Sequence, residues 1–155
     1  MRIKLTTPFL GDIRANGVRK FNMKAINGAN YWVPKIAQWR WAFREAMDAE
    51  GLLPATSVDY IRFPNNILMP KVNLYSRAQD SNRMDNYECF SAGAVLSFAL
   101  FVLGSLETDG SPFATEQRPP TKEEVLKCLA IVGSDIGLSP FGSKFNYGRF
   151  DVLPQ

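Results

Sequence analysis

The 155-residue chain has no histidine and only two cysteines, Cys89 and Cys128. Without an imidazole there is no Ser-His-Asp or Cys-His arrangement and no histidine to act as a general base. The two cysteines are far apart and neither belongs to a C-x-x-C pair. A tetrahedral zinc site would therefore need carboxylates around two thiolates, an uncommon ligand set. Both are read as reduced thiols, Cys128 as a small core residue of a helix. Long apolar runs are also missing: the longest, Ala92 to Leu103, falls well short of the roughly 20 residues that span a bilayer. The opening MRIKLTTPFLGDIR has a charge inside its apolar run and no small-residue cleavage site, unlike a signal peptide. The acidic pairs Asp80 with Asp85 and Glu107 with Asp109 read as solvated carboxylates. These absences describe a cytoplasmic chain that is not an enzyme, uses no metal or cofactor and has no membrane partner.

What is present is an ordinary globular balance, 46% hydrophobic and 21% charged, in a length that suits one domain over residues 1–155 with one core. The net charge of +3 is unevenly spread. Residues 1–84 hold 13 Lys+Arg against six Asp+Glu, and residues 85–155 hold five against nine. A basic N-terminal part is permissive for nucleic acid or another polyanion.

Arg2 to Leu5 alternates polar and apolar residues, which predicts a strand with Ile3 and Leu5 facing the core. Pro8 and Gly11 end it. Residues 11–32 form a long basic excursion carrying Arg14, Arg19, Lys20 and Lys24, with hairpin turn signals at Asn16-Gly17 and Asn27-Gly28. Pro34 opens a helix with Ile36, Trp39, Phe43 and Met47 at helical spacing, and Gly51 closes it. Trp39 belongs to its core stripe; Trp41 lies off that stripe and is a candidate surface contact. Val58 to Phe63 predicts the second strand, Lys71 to Tyr75 a short one, and residues 76–86 an exposed loop. Ala94 to Leu103 predicts a central strand buried on both faces or nearly so. Thr121 and Glu124 make a capping box for a second helix that buries Val125, Leu126, Leu129 and Val132. A glycine-punctuated stretch then leads to a last strand, Tyr147 to Leu153.

The order is strand, helix, strand, strand, helix, strand. It predicts an α+β, ferredoxin-like βαββαβ sandwich with insertions after the first strand and between the second and third. The alternative is an α+β domain in which residues 12–30 and 67–90 add further strands.

The glycines of IGLSPFGSKFNYGR admit two readings. Backbone N–H groups could cradle a phosphate with Lys144 and Arg149 supplying charge, or the glycines serve only a tight helix-to-strand turn. The stretch matches neither the phosphate loop of nucleoside triphosphatases nor the Rossmann turn. It is similar to the glycine-rich loop of the RAMP superfamily, the ferredoxin-like RNA-binding proteins of CRISPR systems. Upstream, ECFSAGAVLSFALFV (Glu88 to Val102) resembles the segment where an acidic residue and a glycine precede their hydrophobic central strand. The whole chain also resembles small bacteriophage proteins.

The resemblance implies that Gly137, Gly142 and Gly148 shape a loop against RNA and that Lys144 and Arg149 touch the RNA backbone. It implies no cleavage, because processing members use a histidine. Phe145 and Tyr147 flank the basic residues as stacking candidates, whereas Phe150 reads as core. The expected function is non-catalytic binding of RNA or single-stranded nucleic acid. Its residues are Arg14, Arg19, Lys20 and Lys24 of the insertion and Gly137, Gly142, Lys144, Tyr147, Gly148 and Arg149 of the final loop. Two alternatives stand beside it. One is a phage-encoded protein that inhibits a host defence complex such as a CRISPR effector, an anti-CRISPR, using residues 76–86 and the acidic half. The other is a small-nucleotide binder with the glycine loop as anion cradle.

Overall fold

The computed structural model describes residues 1–49, 51–80, 83–104, 118–139 and 145–154. Strand β1 (Arg2–Leu5) alternates as its sequence predicts, burying Ile3 and Leu5 and exposing Arg2 and Lys4. It is the middle of a three-stranded sheet, antiparallel to β11 (Val95–Ser97) on one side and β13 (Phe150–Val152) on the other. Ile3 lies between Leu96 and Val152, and Leu5 beside Phe150, so the apolar positions share one face.

Helix α1 (Ile36–Ala49) covers that face with Trp39, Ala42, Phe43, Ala46 and Met47. Helix α2 (Lys122–Ile131) adds Val125, Cys128 and Leu129 and packs against α1. A π-helical turn, Val132–Ile136, continues α2 toward β13. Trp39, Cys128 and Phe150 are core as expected, and Trp41 is on the surface. The fold class is α+β, with many short strands and two α-helices among the described residues.

Three expectations fail. Ala94 to Leu103 is not one strand buried on both faces. Residues up to Phe98 pair with the β1 side, the Phe98 N–H donating to the Met1 carbonyl at 2.9 Å. The chain then changes partner, and β12 (Phe101–Val102) pairs antiparallel with β7 (Ile61–Arg62). Val95 is exposed because the helices cover only one face of β1's sheet, and Phe101 and Val102 are exposed on the separate β12–β7 pair. An unbroken apolar run does not reveal whether a second layer exists. Val58 to Phe63, the predicted second strand, begins within a 3-10 turn (Ala55–Tyr60), and only Ile61 and Arg62, as β7, are strand. An Arg40–Asp59 ion pair at 2.6 Å ties that turn to α1, and Val58, Tyr60, Ile61 and Phe63 are buried all the same. Of residues 76–86, predicted to be an exposed loop, 81 and 82 lie outside the described residues and the others are strand. They fall in β9 (Val72–Asp80) and β10 (Arg83–Phe90), an antiparallel pair whose ladder satisfies its own backbone without needing a core pattern.

The basic excursion makes two hairpins. Strands β3 (Ile13–Ala15) and β4 (Val18–Lys20) flank Asn16-Gly17; β5 (Met23–Ile26) and β6 (Ala29–Trp32) flank Asn27-Gly28. Both turn residues of each pair have positive φ, between 49° and 83°, which is type I′ geometry and the reason Asn-Gly is needed. β4 runs parallel to β10, next to β2 (Phe9–Leu10), which is antiparallel to β10; β6 pairs with β8 (Ile67–Leu68). The extra strands therefore build sheets of their own and do not widen the one around β1.

The capping box on α2 forms as predicted. The Glu124 N–H donates to Thr121 Oγ1 at 3.2 Å, and the Thr121 N–H to Glu124 Oε1 at 3.0 Å. Arg118 grips the same carboxylate with two nitrogens, at 2.7 and 3.0 Å. The Arg118 guanidinium first, and then the Thr121 N–H, hold the Glu124 carboxyl down from its ordinary 4.5 to about 2. A depressed carboxyl contributes stability that is complete above its unfolded value and lost as pH falls through the folded one. Melting temperature should thus fall between about pH 4.5 and 2. Glu124→Gln should flatten part of that fall, as thermal melts across this range would show, and the difference should shrink in high salt because the pair is partly exposed.

Candidate nucleic-acid interface

The two insertion hairpins are rooted in a cluster of rings. Phe9 of β2, Phe21 after β4, Trp32 at the end of β6 and Phe90 at the end of β10 meet there, with Trp39 of α1 beside Trp32. Phe21 stacks on Phe90 at 4.0 Å and 5°, and Phe9 meets Trp32 edge-on at 4.9 Å. Glu88 fastens both ends of the first hairpin: its carbonyl accepts the Gly11 N–H at 2.8 Å, and its carboxylate the Phe21 N–H at 3.0 Å. The Val33 N–H donates to the Asn22 carbonyl at 2.8 Å and closes the second.

Over this cluster lies a cleft of about 570 Å³ between the first hairpin, the start of α1 and Leu138. Its apolar walls include Phe21, Trp32 and Trp39; Asp12, Arg19, Asn22, Lys35 and Gln38 supply polar groups. Lys35 sits just before α1, where its carbonyl accepts the Gln38 and Trp39 N–H groups. No acidic residue occupies the first turn of α1. A cation there adds to the positive end of the helix dipole, the unfavourable arrangement for an isolated helix. Asp12, 3.4 Å from Lys35 Nζ, offsets part of that charge.

The four basic residues of the insertion separate. Arg14 and Arg19 are directly opposite across β3 and β4 and so share a face. Arg19 stands 4.0 Å from Asp85, with its guanidinium 5.6 Å from the Tyr87 ring centre. Both arginines line a hollow of about 290 Å³ with Asn16, Asp85 and Asn86. Lys20 points to the other face of the same hairpin, opposite Ile13, and Lys24 is exposed on the second hairpin, opposite Tyr31.

In the glycine-rich stretch, Gly142 and Lys144 lie outside the described residues. Gly137, at φ 80°, ends the π-helical turn and donates its N–H to Val132. Gly148, at φ 66°, leaves no room for a side chain: a Cβ would lie 2.3 Å from the Ser139 nitrogen. Its N–H donates to Pro8, its carbonyl accepts from Leu138, and Ser139 Oγ accepts the Leu10 N–H at 2.8 Å. These bonds clamp the end of the chain onto residues 8–10, so the tight-turn reading accounts for Gly137 and Gly148. Arg149 donates to the Ser134 carbonyl, and its backbone N–H to Thr7 Oγ1 at 2.9 Å. It is absent from the cleft lining.

Tyr147 packs with Leu10, Tyr87 and Cys89 in a small second core, its hydroxyl 3.0 Å from that of Tyr75. Burial and the hydrogen bond to Tyr75 push the Tyr147 phenol up, with Arg77 opposing. Phe145 is exposed beneath the Arg77 guanidinium, 4.4 Å from its ring centre. Burial raises both thiols, Cys128 to about 11, which keeps them protonated and poor as nucleophiles or ligands. Among the described residues no three metal-ligating side chains cluster, and no helix is long and apolar enough to cross a membrane.

Of the predicted residues that the structure describes, only Arg19 lines the cleft over the ring cluster. Asp12, Asn22, Lys35 and Gln38 were not singled out as functional, and nothing in local spacing connects them. Lys35 alone had a signal, a cation at a helix start where an acid is the usual choice. No family model matches the chain, and neither a curated protein nor a solved structure matches it.

Gly148→Ala should destabilise the chain by more than about 1 kcal/mol, through the positive φ and the collision with Ser139. Chemical denaturation would measure it, and an unchanged midpoint would mean that the clamp is not needed.

Proposed function

We propose that this chain is a ferredoxin-like, RAMP-like module that binds single-stranded nucleic acid, RNA foremost, without cleaving it. The ferredoxin-like reading draws support from the antiparallel order β13, β1, β11 and from the turn of residues 94–103 toward β7. Taken together these follow the strand order fourth, first, third, second, with α1 and α2 in the two crossovers. The observation that carries the functional reading is the cleft, where the basic insertion, a lysine at a helix start and the beginning of the glycine-rich stretch converge. Arg14, Lys20 and Lys24 are exposed on the hairpins and supply a positive surface for phosphates.

Fluorescence anisotropy with a labelled single-stranded RNA tests this. Affinity should fall steeply from low to physiological salt, because phosphate neutralisation releases counterions. Arg14→Ala, Lys20→Ala and Lys24→Ala combined should weaken binding at least tenfold and flatten the salt dependence, with little change in melting temperature, since all three side chains are exposed. Binding indifferent to salt, or absent at low salt, would remove the reading.

A second reading rests on the β9–β10 hairpin. Leu74 is 77% exposed and Met84 59%, with Val72 on the same face. Among the described residues β9 pairs only with β10, which leaves a strand edge open. Such a face and edge suit a protein partner, in keeping with an inhibitor of a host defence complex such as a CRISPR effector. Leu74→Asp should then abolish inhibition of a CRISPR effector in a plasmid-interference assay and leave RNA affinity unchanged. Equal inhibition by the variant, or none by the parent, would discard this alternative.

A further inference from the structure

The cleft is a concavity lined by both apolar and polar residues, unlike a surface that merely follows a phosphate backbone. From this we infer that it is a pocket for one unstacked nucleotide, with adenine the preferred base. The inference rests on the nucleic-acid reading above and adds to it a defined base and a defined phosphate position.

Three features converge. The floor is the buried cluster of Phe21, Trp32 and Trp39, none more than 7% exposed, and the volume of about 570 Å³ lies within the usual range of small-ligand sites. An apolar floor accepts a planar base laid over it. Asn22 and Gln38, two carboxamide residues, line it from different elements, one from the link between the hairpins and one from α1. A carboxamide offers a donor and an acceptor together, the pattern that matches the N6 amino group and N7 of adenine. Finally, Lys35 is exposed beside the opening turn of α1, where the helix dipole is positive. An ammonium next to a helix start is a position for one phosphate.

Asp12 gives the arrangement its logic. In the free protein its carboxylate sits 3.4 Å from Lys35 Nζ, where it stands in for a ligand anion. A phosphate arriving at Lys35 displaces Asp12 or is repelled by it, so Asp12 sets the affinity of the pocket. The remaining cations, Arg14, Lys20 and Lys24, lie out on the hairpins, where the neighbouring phosphates of a longer strand would pass.

The test uses the full chain carrying Trp41→Phe, which removes the exposed tryptophan that does not line the cleft and leaves Trp32 and Trp39 as reporters. Titration with AMP should change tryptophan emission saturably, and UMP and inorganic phosphate should bind at least fivefold more weakly. Lys35→Ala should weaken AMP at least tenfold, Asp12→Asn should strengthen it severalfold, and Gln38→Ala should erase the preference for AMP over UMP. Circular dichroism checks that each variant is folded. Labelled single-stranded RNA, measured by anisotropy on the same samples, separates the two levels of the argument. RNA binding without any AMP response overturns the pocket and leaves the strand-binding reading standing. An AMP response without RNA binding keeps the pocket and overturns the strand-binding reading. Inorganic phosphate binding as tightly as AMP overturns the pocket in favour of a bare anion site, and no response to either ligand overturns both.

Discussion

The packing of five aromatic rings is the interaction on which the hairpin half of this protein depends. Strands β3 to β6 are three or four residues long and bury little of their own. Hairpins of that size are marginal in water without a hydrophobic surface to rest on. Phe21 and Trp32 provide that surface, each placed at the root of one hairpin and packed against Phe9 and Phe90. Aromatic rings bury a large apolar area and lock into few relative orientations, so the cluster both stabilises and aims what is attached to it. Through the Trp32–Trp39 contact the same cluster is continuous with the core under β1. The cleft exists because the rings fill the floor and the hairpins, α1 and Leu138 stand around it.

Acidic residues in this region hold structure together more than they oppose the basic surface. Glu88 spends its carboxylate on the Phe21 N–H, and Asp85 and Asp12 each face one cation. Lys20, Lys24 and Arg14 stay exposed on the hairpins. The glycine-rich end of the chain has a related role. Gly148, Ser139 and Leu138 interlock with Pro8 and Leu10 and bring Leu138 to the cleft wall. A segment that suggested direct phosphate contact thus acts, at Gly137 and Gly148, by positioning its neighbours.

The β9–β10 hairpin follows a different economy. One face carries Tyr75 and Tyr87 into the small core with Leu10 and Tyr147, while the opposite face leaves Val72, Leu74 and Met84 in water. Exposed apolar residues on a long edge strand invite pairing with other chains, and proteins without a partner usually protect such edges with charge, proline or a bulge. The register does shift between Arg83 and Met84, which disturbs the tip of the hairpin and leaves Leu74 uncovered.

Features governed by a few neighbouring residues were legible in the amino-acid sequence alone. Alternation in Arg2 to Leu5 fixed which side chains of β1 face inward. The Pro34 start and the spacing of Trp39, Phe43 and Met47 defined α1, Asn16-Gly17 and Asn27-Gly28 defined two type I′ turns, and Thr121 with Glu124 defined the start of α2. In each case the backbone geometry or a hydrogen bond within four residues settles the outcome. What only the tertiary structure decided involves layers and distant partners. The run from Ala94 to Leu103 looked buried on both sides, but after Phe98 it changes partner from β1 to β7 and exposes Phe101 and Val102. Residues 76–80 and 83–86 lacked a core pattern because a two-stranded ladder needs none. Of the candidate site, sequence identified the basic insertion and the glycine turn, yet it could not join Asp12, Asn22, Lys35 and Gln38 around one cleft. Their proximity follows from how the hairpins lean on the ring cluster, and a chain's local spacing holds no record of which distant surfaces will be pressed together.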